Sequence, residues 1–280
     1  MANDIQHTIT TFYQDLSPSE KKIADYLMQH QERAAKSSIQ DLSQAVDLST
    51  ATISRFAKRL GYQSFPELKI ALSMPTSDTK ELFSDLSRQD DSLTLAKKVF
   101  AANIRSLEDT ENFLEQSQLD AALTILTQAK QAAFFGLGGS QVVALDAFHK
   151  FIRTSLPCEF QNDYHMQLML ASKLTANDCA IVISHTGRNQ EILHLCELLE
   201  KNQVPIICIT SYAASPLAQA AKVALIAFAE ETAYRSEAMS AMQAQFSLID
   251  CLFMLYSVTN YEANSRVRQQ IRDAIKETRI

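Results

Sequence analysis

Ala180-Ile181-Val182-Ile183-Ser184-His185-Thr186-Gly187-Arg188-Asn189 decides the fold class. Four apolar residues run without alternation, turn residues follow, and a helical stretch with Glu191, Ile192 and Leu195 comes next. A short apolar run without polar alternation reads as a strand covered on both faces, as in a parallel sheet between helix layers. Three further runs have the same character: Ala132-Ala133-Phe134-Phe135 before Gly136, Val204-Pro205-Ile206-Ile207-Cys208-Ile209-Thr210, and Val223-Ala224-Leu225-Ile226-Ala227-Phe228. Pro157-Cys158-Glu159-Phe160 is a weaker fifth candidate. Helical stretches separate the runs. From about Leu119 the chain is therefore expected to form an α/β domain, a parallel sheet flanked by helices in the Rossmann-like manner. From about Ala238 to Ile280 the pattern is helical.

Two of these runs end in turns with chemical character. Gly136-Leu137-Gly138-Gly139-Ser140 precedes a helix expected near Gln141, and residues 184–189 precede the helix of Glu191. Small residues and hydroxyls at a helix N-terminus, at the carboxyl end of a strand, make an anion site from unpaired amides and the helix dipole. The glycine turn is not a full dinucleotide fingerprint, and alone it is equally a tight strand-to-helix turn. Ser184, Thr186 and Asn189 add three polar side chains, although such residues also cap helices. Arg188 adds a charge that serves either a ligand or solvent.

Outward toward the N-terminus the pattern becomes wholly helical. Ser17-Pro18-Ser19-Glu20 is a start signal, with Ser17 as N-cap, and Ile23, Ala24 and Leu27 follow at helical spacing. Ser38-Ile39-Gln40-Asp41-Leu42 opens a second helix, and Leu48-Ser49-Thr50 a third that ends near Leu60-Gly61. Phe65-Pro66-Glu67-Leu68 opens a fourth. Ile39, Leu42, Ala45, Leu48, Ile53, Phe56 and Leu60 are spaced as the buried positions of a two-helix unit turning at Val46-Asp47-Leu48. On the helix from Ser49, Ile53, Phe56, Ala57 and Leu60 share one face, while Ala51, Ser54, Arg55 and Lys58 lie opposite, with Thr52 and Arg59 on the flank. An apolar back with hydroxyls and cations in front is what a DNA-reading helix requires, since Arg reads a guanine edge and Ser, Thr and Lys meet phosphates or bases. Ser49, Thr50, Thr52, Ser54, Arg55, Lys58 and Arg59 are the candidate DNA contacts. The bland alternative is a helical bundle with a solvated basic face.

Charge supports the split. The chain has 280 residues and a net charge of −6, yet up to Pro75 it carries 8 basic and 8 acidic residues. Between Ser49 and Lys69 four cations face one Glu67. An acidic protein can still hold DNA on a local basic face.

Residues 38–42 and 50–62, followed by Ser64-Phe65-Pro66-Glu67-Leu68-Lys69, resemble the helix-turn-helix of RpiR-type transcriptional regulators. The two turns of the second half, with Ser211-Tyr212-Ala213-Ala214-Ser215-Pro216-Leu217-Ala218, resemble the sugar isomerase (SIS) domain, the usual partner of that helix-turn-helix. The resemblance implies an all-α DNA-binding domain at 1–77 with its motif near 37–60, a helical connector at 78–118, an α/β SIS domain at 119–262 and a C-terminal helix at 263–280. It implies an effector site for a phosphorylated sugar, made by Gly139, Ser140, Ser184, His185, Thr186, Gly187 and Asn189, with Glu191 and Glu237 beside them. Two positions depart from the pattern. The family usually has Ser where Gly139 and His185 stand, so either a different sugar or weaker binding is expected here.

The resemblance also implies a regulator that binds a pseudo-palindromic double-stranded operator as a homodimer or homotetramer. A phosphosugar isomerase with a helical appendage is the main rival, because SIS folds include isomerases. For that chemistry a base and an acid are needed near the sugar C1–C2. Glu191, Glu237, His149, His165 and His185 are the candidates, but no pair at fixed spacing marks a dyad, so no catalytic residue is assigned. A protein-binding N-terminal bundle is a third reading.

Composition excludes other classes. Five cysteines (158, 179, 196, 208 and 251), with no Cys-x-x-Cys, read as free thiols in a reducing cytoplasm. No metal or cofactor is expected. No stretch approaches roughly 18 uninterrupted apolar residues, so no membrane partner is expected. The polar start, Met1-Ala2-Asn3-Asp4, lacks the features of a secretory signal. In the connector, Leu93, Ala96, Val99, Phe100, Ile104 and Leu107 lie near one face, which suits a connecting helix, a dimer contact or the first cover helix of the second domain.

Overall fold

A computed structural model describes residues 9, 12–13, 15–60, 62, 64–73, 90–228, 237–276 and 278. The chain divides into two compact units, Met1–Ser84 and Asp85–Ile280.

The first unit is helical because its polar residues cap and its apolar residues recur at helical spacing. α1 (Pro18–Gln29) starts where the Ser17 hydroxyl accepts from the Glu20 amide and the Glu20 carboxylate accepts from the Ser17 amide. α2 (Gln31–Lys36) follows a break at His30 and has no capping side chain, so no sequence signal separates it from α1. α3 (Ile39–Val46) opens on a second reciprocal box, Ser38 with Asp41. It closes at Asp47, whose left-handed φ of 53° is one that Asp tolerates better than most residues. α4 (Thr50–Arg59) opens on Ser49, and α5 (Phe65–Ser73) follows. Gly61, the expected end of α4, lies outside the described residues. Ile23, Leu27, Leu42, Val46, Ile53, Phe56, Leu60 and Leu68 bury in one core. The α3–α4 pair is thereby clamped from behind, and cutting fully buried Phe56 to Ala would cost about 3–5 kcal/mol.

The second unit opens with α6 (Ser92–Asn112) and α7 (Gln116–Gln128). It then alternates β1 (Ala132–Gly136), α8 (Gly139–Phe151), β2 (Cys158–Phe160), α9 (Tyr164–Lys173), β3 (Cys179–Ile183), α10 (Gln190–Lys201), β4 (Ile206–Thr210), α11 (Pro216–Ala220) and β5 (Val223–Ile226). α12 (Glu237–Thr259) and α13 (Tyr261–Lys276) close it. All pairings are parallel, in the order β2-β1-β3-β4-β5. β1, β3 and β4 are buried at every position, which is why their sequences do not alternate. β2 is a short, partly exposed edge, and its signal is correspondingly weak. Side chains of α7, α8 and α12 cover one face of the sheet, and those of α9, α10 and α11 the other. The chain leaves β1 toward β2 and returns past it to β3. β1 and β3 therefore flank the topological switch point, where a crevice opens beyond the strands' carboxyl ends.

α12 contains Ala241–Thr259, long and apolar enough by length and composition to cross a membrane. Its Ala241, Ala244, Leu248, Ile249 and Leu252 are instead buried in the core of the second unit. α13 is tied to this unit by fully buried Asn264, whose side-chain oxygen accepts from the Ser155 amide at 2.8 Å.

Residues 79–89 lie outside the described residues, and α6 begins at Ser92. Within α6 the buried positions are Ser106 and Thr110, not the apolar stripe. Phe100 is 69% exposed, and Leu93, Val99, Ile104 and Leu107 are exposed too. The reason is that Ser106 and Thr110 have polar backbone to bond, whereas the apolar stripe finds no cover among the described residues.

Candidate functional site

In the first unit α4 presents the surface that its periodicity predicts. Ile53, Phe56 and Ala57 are buried, Thr50, Ala51, Arg55 and Lys58 are exposed, and Thr52 and Ser54 are half-buried. Ser49 is committed to the helix start. Its hydroxyl accepts from the Thr52 amide at 3.2 Å and pairs with the Thr52 hydroxyl at 2.9 Å. Arg59 is committed elsewhere as well. Its guanidinium pairs with Glu20 at 3.2 Å and donates to the Asp15 carbonyl, so it bolts the end of α4 to the start of α1. Burial opposes ionisation of Glu20, but hydrogen bonds from Ser17 and the Arg59 charge outweigh it and hold its pKa below the ordinary value.

Beside α4 lies a groove of about 560 Å³ lined by the polar Ser37, Ser38, Ser54, Lys58, Ser64 and Lys69 and the apolar Ile39, Phe65 and Pro66. It joins the starts of α3 and α5 to the outer face of α4. Sequence reading placed Lys58 and Lys69 in the basic stretch but did not connect them with Ser37, Ser38 and Ser64. That link exists only once α3 and α5 are folded against α4. Asp41 is held below the ordinary carboxylate value by the Ser38 amide first, then the Ser38 hydroxyl, with the Lys69 charge adding.

In the second unit the two turns follow neighbouring strands, because β1 and β3 pair with Gly136 opposite Ile183. Gly136 has no room for a side chain, since a Cβ would sit 2.6 Å from the Ser140 carbonyl oxygen. Gly138, at φ +57°, turns the chain into α8. Gly139 differs: a Cβ there would meet nothing closer than the Met242 sulfur at 3.8 Å. The site thus has room for the serine usual in the resembling family. Ser140 is half-buried in the first turn of α8.

The 184–189 turn is folded on itself. Ser184 accepts from the Gly187 amide at 3.3 Å, Thr186 from the Arg188 amide at 3.3 Å, and Asn189 from the Ile192 amide at 3.0 Å. Gly187 is required twice, by its φ of +61° and because a Cβ would lie 2.3 Å from the Ser215 hydroxyl. Ser184 is buried, Thr186 half-buried, and Arg188 and Asn189 exposed. The starts of α8 and α10 border the same crevice; the Ser140 and Gln141 amides donate to the Leu137 and Gly138 carbonyls at 3.1 Å, and the exposed Arg188 and Glu191 place one charge of each sign beside the start of α10.

His185 is buried, and its Nδ1 lies 2.8 Å from the Ser211 hydroxyl. That hydroxyl donates its one proton to the Ala227 carbonyl at 2.6 Å, so Nδ1 must carry the proton between it and His185. The sequence marks Ser211 only as part of the 211–218 stretch, and nothing in it connects Ser211 with His185, 26 residues away. Gln167 was missed too. It is fully buried, and its amide nitrogen donates to the Gly136 and Gln161 carbonyls at 3.0 Å, fixing the exit of β1. Glu191 is exposed in the first turn of α10, and its carbonyl accepts from the Tyr164 hydroxyl at 3.2 Å. Burial and the Glu191 charge raise the Tyr164 pKa. Glu237 opens α12, but its side chain lies outside the described residues. His165 is exposed, 3.9 Å from Asp163, and His149 contacts Arg153. Burial pushes the Cys158 and Cys196 thiols up to about 12, and raises Cys179 and Cys208 also, as expected of unreactive core residues.

A helix-turn-helix unit joined to a parallel sheet with a donor-rich switch-point crevice has the make-up of a ligand-responsive transcription regulator. The rpiR-family helix-turn-helix domain matches residues 3–79, and the SIS domain matches residues 125–255. An uncharacterised HTH-type transcriptional regulator of Caldanaerobacter subterraneus subsp. tengcongensis is 33% identical over 259 residues, 92% of each chain. The HTH-type transcriptional regulator HexR of Escherichia coli is 31% identical over 269 residues, 95% of this chain and 92% of its own. Among solved structures, the Vibrio vulnificus NanR protein complexed with ManNAc-6P matches with a TM-score of 0.63 at 21% identity, over 98% of this chain and 99% of that one. The sugar isomerase domain of an RpiR transcription factor from Sphaerobacter thermophilus matches with a TM-score of 0.59 at 20% identity, over 64% and 98%. The chain belongs to the RpiR family of HTH-type transcriptional regulators.

Proposed function

We propose that this regulator binds operator DNA through the outer face of α4 and the adjoining groove, and that a phosphorylated sugar in the β1–β3 crevice controls that binding. The single observation that carries the effector half is the meeting of two donor-rich turns at the switch point. Ser140, Ser184, Thr186 and Asn189, with the first amides of α8 and α10, take the phosphate; Gly139 and His185, where the family usually has Ser, set which sugar fits. Arg55 and Ser54 read bases, Lys58 and Lys69 take phosphates, and Arg59 steadies the fold. The complex of NanR with ManNAc-6P supports a phosphosugar as the class of effector. The relatives' names support a role in transcription rather than catalysis, and the role proposed is that of a cytoplasmic regulator of sugar-metabolism genes. The exposed apolar stripe of α6 supports a homo-oligomer, which would match a pseudo-palindromic site.

The test is a mobility shift on DNA upstream of the protein's own gene, with and without a panel of sugar phosphates that includes N-acetylmannosamine 6-phosphate. A specific shift, altered by one sugar phosphate that is recovered unchanged, is expected. Consumption of a sugar phosphate without specific DNA binding would replace the regulator with an isomerase.

A further inference from the structure

The carboxyl ends of β3, β4 and β5 are stitched by buried hydrogen bonds that continue into α6. The His185 carbonyl accepts from the Ser211 amide at 2.9 Å and from the Thr210 hydroxyl at 3.0 Å. His185 Nδ1 meets the Ser211 hydroxyl at 2.8 Å, which donates to the Ala227 carbonyl at 2.6 Å. The Ala227 amide donates back to the Thr210 carbonyl at 2.9 Å. The next residue, Phe228, is held from the other side by α6. Its amide donates to the Thr110 hydroxyl at 2.9 Å, and its carbonyl accepts from the Ser106 hydroxyl at 2.6 Å. The Phe228 ring stacks on Phe113 at 6.1 Å.

Two facts make this more than ordinary packing. Ser106 and Thr110 are the buried residues of a 21-residue helix, 5% and 3% exposed, while its apolar side chains stay outside. The attachment of α6 to the end of β5 therefore includes two directional bonds to one residue's backbone. Directional bonds break or hold with small shifts of a donor, whereas apolar contacts slide. The chain of bonds also starts within the 184–189 turn. α6 is the first described helix of its unit and follows the residues that lead from the first unit.

We propose that Ser106 and Thr110 are positioning residues that transmit occupancy of the 184–189 turn to α6, through His185, Ser211 and the Ala227–Phe228 backbone. This rests on the effector reading above and adds the route by which it acts. Anion binding draws the turn's amides toward the crevice and moves His185 with them. Ser211 must follow to keep both of its bonds, and Phe228 then shifts against α6. Coupling between sites is set by such differential contacts, not by distance.

The test is hydrogen-exchange mass spectrometry on the full chain with saturating inorganic phosphate as the probe, using chloride at equal ionic strength as control. In the parent protein, phosphate is expected to slow exchange both at residues 184–189 and at residues 104–112. Ser106→Ala combined with Thr110→Val is expected to leave the response at 184–189 intact and weaken that at 104–112 about fivefold, the lower end of usual coupling. Ser211→Ala, which cuts the chain without touching α6, is expected to do the same. Thr110→Ser, which keeps a hydroxyl, is expected to behave as the parent, whereas a loss caused by disturbed packing would not be rescued. A response at 184–189 with none at 104–112, or one that survives both cuts, overturns the coupling alone. No response at 184–189 overturns the effector reading and the coupling with it.

Discussion

Arg55 and Lys58 carry formal charge on exposed side chains, whereas Ser184, Thr186 and Asn189 carry none and bond to amides of their own turn and of the α10 start. Both surfaces suit an anion, but they act over different ranges. Formal charges on a solvated helix attract any polyanion from a distance and are weakened by salt. Neutral donors held by a glycine turn act only at contact, and they select an anion by fit. One chain of net charge −6 can thus address DNA and a small phosphate with different surfaces.

Salt should separate the two surfaces most widely. If the α4 face and its groove engage about six DNA phosphates, operator affinity should fall about 10³-fold between roughly 50 and 200 mM salt. Phosphosugar affinity, measured calorimetrically over the same range, should fall by less than about tenfold, because the crevice sets at most one cation, Arg188, among short-range neutral donors. Equal slopes would erase the distinction.

Gly187→Ala is the next largest. The residue is at φ +61° and an added Cβ would meet Ser215. The strain, about 1–3 kcal/mol, should lower the melting temperature and remove phosphosugar binding. Effector-free DNA affinity should stay unchanged, and a loss there would tie the two surfaces together.

Arg55 and Arg59 carry the contrast into α4 itself. Arg55→Ala should weaken operator binding by about 1–3 kcal/mol and relax preference at one base position, read by competition with single-base variants. Arg59→Ala should instead cost about 0.2–1 kcal/mol of stability, the usual worth of a partly exposed ion pair, with base preference intact. A change in base preference from Arg59→Ala would place that side chain on DNA.

Acid should have the weakest effect. Glu20 and Asp41 both have pKa values below the ordinary carboxylate value in the folded chain. Each therefore adds stability above the ordinary value and loses it as pH falls through the ordinary value to the depressed one. The parent should melt above Asp41→Asn at neutral pH, and the gap should close in acid. A gap independent of pH would show that the Ser38–Asp41 box owes nothing to ionisation.

Much of the fold was legible because its signals are local. The boxes at Ser17 with Glu20 and Ser38 with Asp41 place both partners within three residues, so the sequence carries the whole interaction. The buried strands announce themselves through unbroken apolar runs. The polar turns were legible as candidates for the same reason. Arg59 was assigned to the DNA face on angular position alone, and nothing in its neighbours points to Glu20, 39 residues back. The apolar stripe of α6 left a connecting helix, a dimer contact and a cover helix all open, because burial depends on what another element offers, and Phe228, just after β5, offers backbone polar groups there.

Element types, the two-part plan, and the turns and helix face that bear chemistry were all set in the sequence, since each depends on residues within a few positions of one another. Tertiary packing alone supplied the strand order that puts the two turns side by side, the groove shared by α3, α4 and α5, and the bonds from Ser211 to Ala227 and from α6 to Phe228. Those depend on which distant segments share a core, and burial of apolar area is non-directional, leaving no mark at any single position.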